Sequence, residues 1–275
     1  MTVKIGTSGW QYRHWRGAFY PLGLATSEWL AYYSTSFETV EVDSTFYRLP
    51  APEVFARWRD ATPEGFEAAV KVSRYLTHSK QLHGAAEPVM AFLARARQLG
   101  DKLGPVLLQL PPTMRVDAAR LDEALSSFGR TVRVAVEARH ESWDCDEVWG
   151  VLADHGSAWV VADAPWRRWP VVRTADWGYL RFHEGKASPR PCYGRRALDR
   201  WAERVAEVWP AGEDVYTYFN NDQCACALRD ARGFGAAVRR AGLEATRVPA
   251  RGAVRLCAPG DVRRLATRAV APGAP

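Results

Sequence analysis

The chain has 275 residues, 47% of them hydrophobic and 25% charged, which suits one large globular domain or two small ones and excludes disorder, collagen and coiled coil for the bulk of it. Net charge is +6, carried by 32 Arg against 5 Lys; arginine suits phosphate contacts, but in a chain rich in Ala, Gly and Pro it equally suits a solvated surface, so charge alone names no partner. The longest apolar runs, such as Pro105 to Leu110, fall well short of the roughly 20 residues a membrane span needs, and Met1 to Ile5 reads as the start of a strand rather than a leader, so a soluble cytoplasmic protein without membrane contact is expected.

Short β-branched or apolar runs predict eight strands, at Val3 to Thr7, Thr39 to Asp43, Glu67 to Val72, Val106 to Leu110, Arg133 to Ala138, Trp159 to Asp163, Gly178 to His183 and Asp214 to Asn220. Helical spacing fills the gaps at Ser27 to Tyr33, with Ser27 as N-cap, and at Glu53 to Arg59, Glu87 to Leu99, Asp117 to Phe128, Asp146 to Asp154, Arg195 to Val208 and Ala225 to Arg240. Strands alternating with helices predict a parallel sheet. Eight such units match an α/β fold of the TIM-like (β/α)8 barrel type, one domain over residues 1–265, better than an open doubly wound sheet, and no Gly-x-Gly-x-x-Gly follows any strand. The residues from Ala266 to Pro275 read as a disordered tail. Five cysteines, Cys145, Cys192, Cys224, Cys226 and Cys257, include no C-x-x-C pair and are expected as free thiols in a reducing compartment.

In a barrel one parity of each strand faces the lumen. With Val40 and Val42 facing the helices, Glu41 and Asp43 turn inward; Val70 and Val72 likewise leave Lys71 inward, and Val134 and Val136 leave Glu137 and Arg139 inward. Gln109 shares the parity of Leu107, the sixth strand ends in Asp163, Tyr179, Arg181 and His183 oppose Leu180 and Phe182, and Tyr216, Tyr218 and Asn220 share a face. Buried charges cost several kcal/mol each unless paired. Glu41, Lys71, Glu137 and Arg181 suit a closed salt-bridge layer that plugs the barrel, whereas Asp43, Gln109, Arg139, His140, Asp163, His183, Asn220, Asn221 and Asp222 fall at the C-terminal strand ends, where barrel active sites sit.

The loops repeat the theme. Gly6 to Trp10, followed by Gln11 to Gly17, alternates aromatic and basic residues and suits either a ring-stacking anion site, with Trp10 in contact with the ligand, or a lid packed on the barrel; Trp166-Arg167-Arg168-Trp169 does the same more weakly. His78 and His83 follow the third strand and suit capping or surface roles. Asp43, Glu137, Asp163, His183 and Asp222 offer donors for a divalent metal, but no paired ligand spacing supports one, so the cofactor stays open.

These strand ends resemble, along nearly the whole chain, the YecE-like family known as domain of unknown function 72. The matching segments are Ile5 to Trp10 with Trp15-Arg16-Gly17 and Phe19-Tyr20-Pro21, Glu41 to Tyr47, Thr77-His78, Gln109 to Pro112, Val136 to His140 with Trp143, Arg181-Phe182-His183, and Tyr218 to Asp222. The resemblance implies a TIM-like barrel and brings no reaction. Two departures stand out: Glu184 follows His183 where relatives carry Gly, and Arg229-Asp230 precedes Ala231 where relatives carry Asn.

The expected function is an enzyme acting on an anionic, phosphorylated or nucleotide-like ligand at the C-terminal mouth. Arg139 and Arg181 clamp the anion, Glu137 or Asp163 acts as general base with His183 as acid, and Asp43, Gln109, His140, Asn220, Asn221 and Asp222 line the ligand. Lys71 as a Schiff-base nucleophile is a variant, disfavoured by the inward carboxylates Glu41 and Glu137. The alternative is a nucleic-acid-binding module or metal-dependent nuclease gripping its partner with the Trp/Arg loops.

Overall fold

The computed structural model describes residues 1–165, 167–209 and 214–256. Eight parallel strands run in chain order around a barrel: β1 (Thr2–Thr7), β2 (Thr39–Val42), β3 (Glu67–Lys71), β4 (Leu103–Gln109), β5 (Val134–Glu137), β6 (Ala158–Ala164), β7 (Gly178–Phe182) and β8 (Val215–Phe219). β8 pairs back with β1, and a two-residue strand at Glu244–Ala245 extends beside β1. Closure between β1 and β2 is a narrow seam, made by the bridge Ser8↔Glu41 and by the Gly9 N–H, which donates to the Glu41 carbonyl at 2.7 Å. The expected (β/α)8 architecture is therefore present. The tail from Ala266, the end of the domain at 265, Cys257 and Trp166 lie outside the described residues.

Parallel neighbours require a crossover, and helices supply it. They are α1 (Trp29–Ser36), α2 (Pro52–Asp60), α3 (Ala86–Ala96), α4 (Ala118–Phe128), α5 (Asp146–Asp154), α6 (Arg195–Val208) and α7 (Cys226–Arg240). Start signals are local: Pro52 occupies the first turn of α2, where its missing N–H costs nothing, and the Asp117 carboxylate accepts the Arg120 N–H at 2.9 Å to cap α4. Ser27 caps nothing; it lies within a 3-10 turn, Thr26–Glu28, that leads into α1. Between β6 and β7 no helix forms among the described residues, and the strand Arg167–Arg168 instead folds back antiparallel on β6.

Two apolar layers result. The larger lies between strands and helices, with Val3, Ile5, Val40, Val42, Val70, Val136, Leu180 and Phe219 on the sheet side. A second fills the lower lumen, where Trp177, Tyr179, Tyr216 and Tyr218 from one side of the barrel meet Ala69, Ala135 and Ala158 from the other. Large rings facing alanines fit the narrow interior of an eight-stranded barrel. The rings therefore raise a floor beneath the charged layer.

The cysteine expectation is corrected. Cys192, in the loop after β7, and Cys226, at the start of α7, form a disulfide across 34 residues of sequence, and Cys145 is the free thiol among the described residues. Among the described residues no helix is long and apolar enough to cross a membrane.

Candidate active site at the barrel mouth

Above the aromatic floor Arg181 is the hub. Its Nη2 and Nε donate to Glu41 Oε1 at 2.7 and 3.1 Å, its Nη1 donates to Glu137 Oε2, and Nη2 approaches Asp43 at 3.5 Å. The second oxygen of Glu41 accepts the Tyr179 hydroxyl at 2.6 Å. Glu41, Glu137 and Arg181 are all buried. Burial works against charging Glu137, yet the Arg181 guanidinium, helped by His183 and Arg139, overrides it and holds this carboxyl well below the usual carboxylate range. Arg181 is pulled in the opposite sense, well above its ordinary value, because Glu137, Glu41 and Asp43 outweigh the penalty of burial. The donors of Arg181 are thus consumed inside the protein, which removes it from the anion clamp expected of it.

Around this hub stand the other polar groups of the layer, of which Arg139 and Asp43 reach the opening. Lys71 Nζ lies 3.4 Å from Asp43 Oδ1 and 4.3 Å from the centre of the Phe46 ring, two contacts that suit an ammonium. Arg139 Nε lies 3.4 Å from Glu137 Oε1, and the side chains of Arg139 and Asp43 remain 27% and 25% exposed. His183 Nε2 faces Glu137 Oε1 at 3.5 Å while Asn220 Nδ2 lies 3.2 Å from Nδ1. A donor at Nδ1 places the ring hydrogen of the neutral form on Nε2, toward Glu137. Gln109 and Ser8, both buried, aim Oε1 and Oγ at no hydrogen-bond partner.

Clefts open on two sides of the layer. One of about 480 Å³ is lined by Pro112, Arg139, His140, Glu141 and Arg167; another of about 350 Å³ runs along His183, Glu184, Arg190, Pro191 and Asn220 to Gln223. His78 lies on a third side, its Nδ1 2.9 Å from the Thr77 hydroxyl. Burial, followed by the charges of Lys71, Arg74 and Arg139, lowers its basicity. One imidazole thus registers three cations together.

Four expected site residues are engaged by the scaffold, although Asn221 and Asp222 also line the second cleft. Asp163 has the outward parity of Val161, and its Oδ2 accepts the indole N–H of Trp201 on α6 at 3.1 Å, so it is not in the lumen. Trp10 is buried edge-on against Trp58 of α2, with ring centres 5.5 Å apart, and is lid packing rather than a stacking surface. Asp222 accepts the Trp15 indole N–H at 2.6 Å and faces His14 Nε2 at 3.0 Å, tying down the loop after β1. Asn221 donates to the Pro191 carbonyl at 3.0 Å and to Asp230 Oδ2 at 2.7 Å, bracing the loop after β7. His140 caps the turn that follows β5 through Ser142 and lines the larger cleft. The metal set proposed from sequence is scattered by these positions, and among the described residues no cluster of three or more His, Cys, Asp or Glu converges to hold a metal.

Two residues missed as functional now have roles. Tyr179 holds the second oxygen of Glu41; its inward parity was visible, but its partner was not. Asp230, flagged by its departure from the Asn of relatives, accepts the Tyr193 N–H at 2.7 Å besides Asn221, and burial raises its carboxyl to about 6. It organises a loop rather than the mouth. Glu184, the other departure, pairs with Arg190 at 2.8 Å.

With the geometry in place, comparison decides the family. The family profile described as "Protein of unknown function DUF72" matches residues 4–253. The chain belongs to this family. It is 32% identical over 139 residues to the UPF0759 protein YecE of Escherichia coli, a match covering 50% of this chain and 48% of that relative, so it spans about half of YecE. It is 25% identical over 254 residues to the UPF0759 protein YunF of Bacillus subtilis, covering 80% of this chain and 89% of YunF. Among solved structures, a DUF72 family protein from Thermotoga maritima superposes with a TM-score of 0.76 at 28% identity, covering 87% of this chain and all of that one. SacUVDE superposes with a TM-score of 0.54 at 9% identity over 88% of this chain, a likeness of fold alone. The DUF72 family itself carries no assigned reaction.

Proposed function

We propose that this DUF72 protein is an enzyme that binds a small anionic, phosphorylated or nucleotide-like ligand at the C-terminal mouth of its barrel and works on it by general acid/base chemistry. The observation that carries this reading is the vertical sorting of charge. Glu41 and Glu137 are spent below on Arg181, while Arg139 lines a cleft of nucleotide-sized volume at the opening and Lys71, largely buried, keeps its ammonium on Asp43, which reaches that opening.

Each group then has a task. Arg139 and Lys71 hold the anion through charge-assisted hydrogen bonds. Ser8, whose hydroxyl lacks a partner inside the protein, donates to the anion, and Gln109, whose Oε1 lacks one, accepts a hydroxyl or N–H of the ligand. Asp43, the carboxylate of the layer that reaches the opening, takes the proton. Glu137 and Asn220 fix His183 from either side, and Glu41, Tyr179 and Arg181 set the electrostatic floor. A Schiff-base role for Lys71 is unnecessary in this scheme, because its contacts suit a cation that binds. Titration calorimetry with thymidine 5′-monophosphate tests the reading. Arg139→Ala and Lys71→Ala should each weaken binding on the order of tenfold or more, the worth of one charge-assisted contact. Unchanged affinity in both variants would remove the mouth as the anion site.

A further inference from the structure

The loops that follow β2 and β3 carry features that the proposed acid/base site does not use. The two strands pair in parallel, so their C-terminal loops are neighbours at the mouth. They are fastened together: the Thr45 hydroxyl donates to the Lys71 carbonyl at 2.6 Å, and Phe46 meets His78 edge-on with ring centres 5.0 Å apart. On this base two tyrosines stand out in solvent. Tyr47, set edge-on against Phe46, is 76% exposed, and Tyr75 is 55% exposed.

Beyond Asp43, which belongs to the mouth, charge on this rim has one sign. Residues 44–51 and 73–85 contain Arg48, Arg74, Lys80, His78 and His83, and no Asp or Glu. Lys80 Nζ lies 5.7 Å from the centre of the Tyr75 ring. The second loop also holds an unusual shape. Tyr75–Ser79 forms a π turn, followed by Gln81 and Leu82, two non-glycine residues at φ 47° and 67°. Such backbone costs of order 1–3 kcal/mol per residue, and here the buried side chain of Leu82 holds it in place. The scaffold is built to fix the loop, yet it leaves its ring in water.

We infer that this rim binds single-stranded nucleic acid, with bases stacked on Tyr47 and Tyr75 and backbone phosphates held by Arg48, Arg74 and Lys80. The inference rests on the reading of the mouth as an anion site and extends it, since the strand leads one phosphate past Phe46 to Lys71 and Arg139. Exposed rings interleaved with cations are what such a strand recognises. A duplex fits less well, because its bases are already stacked on one another.

Fluorescence anisotropy with a labelled oligothymidylate of about 12 nucleotides, a length within the usual site size, tests it. Thymidine 5′-monophosphate serves as the small-anion reference and oligouridylate as a parallel arm, tight binding of either oligomer supporting the inference. The oligomer should bind at least tenfold tighter than the monophosphate. Tyr47→Ala and Tyr75→Ala should each weaken oligomer binding roughly tenfold and leave monophosphate binding unchanged, with Tyr47→Trp and Tyr75→Trp restoring it. Removing each of Arg48, Arg74 and Lys80 should flatten the logarithmic salt dependence by about 0.7. Oligomer binding no tighter than the monophosphate, full affinity in both Tyr→Ala variants, or equal affinity for a duplex of the same length would each overturn the inference. So would self-association of the chain that both tyrosine variants abolish while oligomer binding stays intact. If Arg139→Ala abolishes monophosphate binding while the tyrosine variants change nothing, the mouth reading stands and this one falls. If Arg139→Ala and Lys71→Ala both change neither ligand, the mouth reading itself has failed.

Discussion

Arg181 shows how one side chain sets the properties of several. Its guanidinium satisfies Glu41 and Glu137 in a place where water reaches neither. Arg181→Met keeps most of the volume, takes from Glu41 its cation and leaves Glu137 only the longer Arg139 and His183 contacts, so a loss of about 3–5 kcal/mol at neutral pH is expected in urea unfolding. The pH dependence has a definite sign. In the parent, Glu137 is held below its unfolded value, so its stabilising share is present above that value and is lost as pH falls through the folded one. Without Arg181, only His183 and Arg139 still oppose burial, so the carboxyl rises and the deficit of the variant should shrink between pH 7 and pH 5; a deficit under 1 kcal/mol or one flat with pH would contradict the role given to Arg181. Asp230 has the opposite sign. Its folded value, about 6, lies above the ordinary 3.8, so its burden on stability is absent at low pH and grows as pH rises from about 4 to about 6. Asp230→Asn retains an oxygen for the Tyr193 N–H and cannot ionise. Its stability relative to the parent should rise on the order of 2–3 kcal/mol from pH 4 to pH 8, each tenfold change in proton affinity being worth about 1.4 kcal/mol. Parallel pH profiles for the two proteins would mean that Asp230 is not charged at a cost.

Between elements the Cys192–Cys226 disulfide joins the loop after β7 to the start of α7. The same two segments lie beside His183 and Asn220, and Asn221 and Asp230 already bind across the gap. Closing a loop of 34 residues removes unfolded-state entropy worth about 3–4 kcal/mol in the chain-entropy model. Replacing both cysteines by serine should lower stability by that order and raise amide exchange in residues 184–193 and 221–226; exchange as slow as in the parent would show that the hydrogen bonds suffice without the covalent link. The pairing was not legible in the sequence, because it joins two loops far apart along the chain and no short spacing announces it. Much of the site was legible, and for a definite reason. On β2, β3 and β5, valines on one parity and charges on the other fix which face is inward, so the pattern alone brings Glu41, Lys71 and Glu137 together. On β6 that contrast is missing. Trp159, Val160, Val161 and Ala162 are apolar on both faces, as in a strand buried on both sides, so nothing showed that Asp163 turns out to Trp201. Trp10 lies in a loop, where no period constrains direction, and whether it faced ligand or helix was decided by packing on Trp58.

At the level of the whole barrel, the weakest place is also the one that positions the charge layer. Most neighbouring strands share ladders of several residues, whereas β1 and β2 meet through a single bridge and the Gly9 hydrogen bond. Glu41 supplies the backbone for that seam and the side chain that anchors Arg181. Gly6 permits the approach. A methyl group built on it would lie 2.4 Å from the Thr39 carbonyl oxygen and 3.1 Å from the Tyr218 ring. The obstacle is backbone, so it cannot swing aside as a flexible side chain does, and the seam itself has to open. Gly6→Ala should therefore cost about 1–3 kcal/mol, the range for overpacking a filled interior, and the displaced Glu41 should weaken thymidine 5′-monophosphate binding although Gly6 touches no ligand. Gly23→Ala is the matched control, since a Cβ there meets nothing within 4 Å. Thermal unfolding and calorimetry of the two variants separate the effects of closure from those of glycine itself. If Gly6→Ala melts and binds as Gly23→Ala does, the β1–β2 seam is not what holds the charged layer in register with the rest of the mouth.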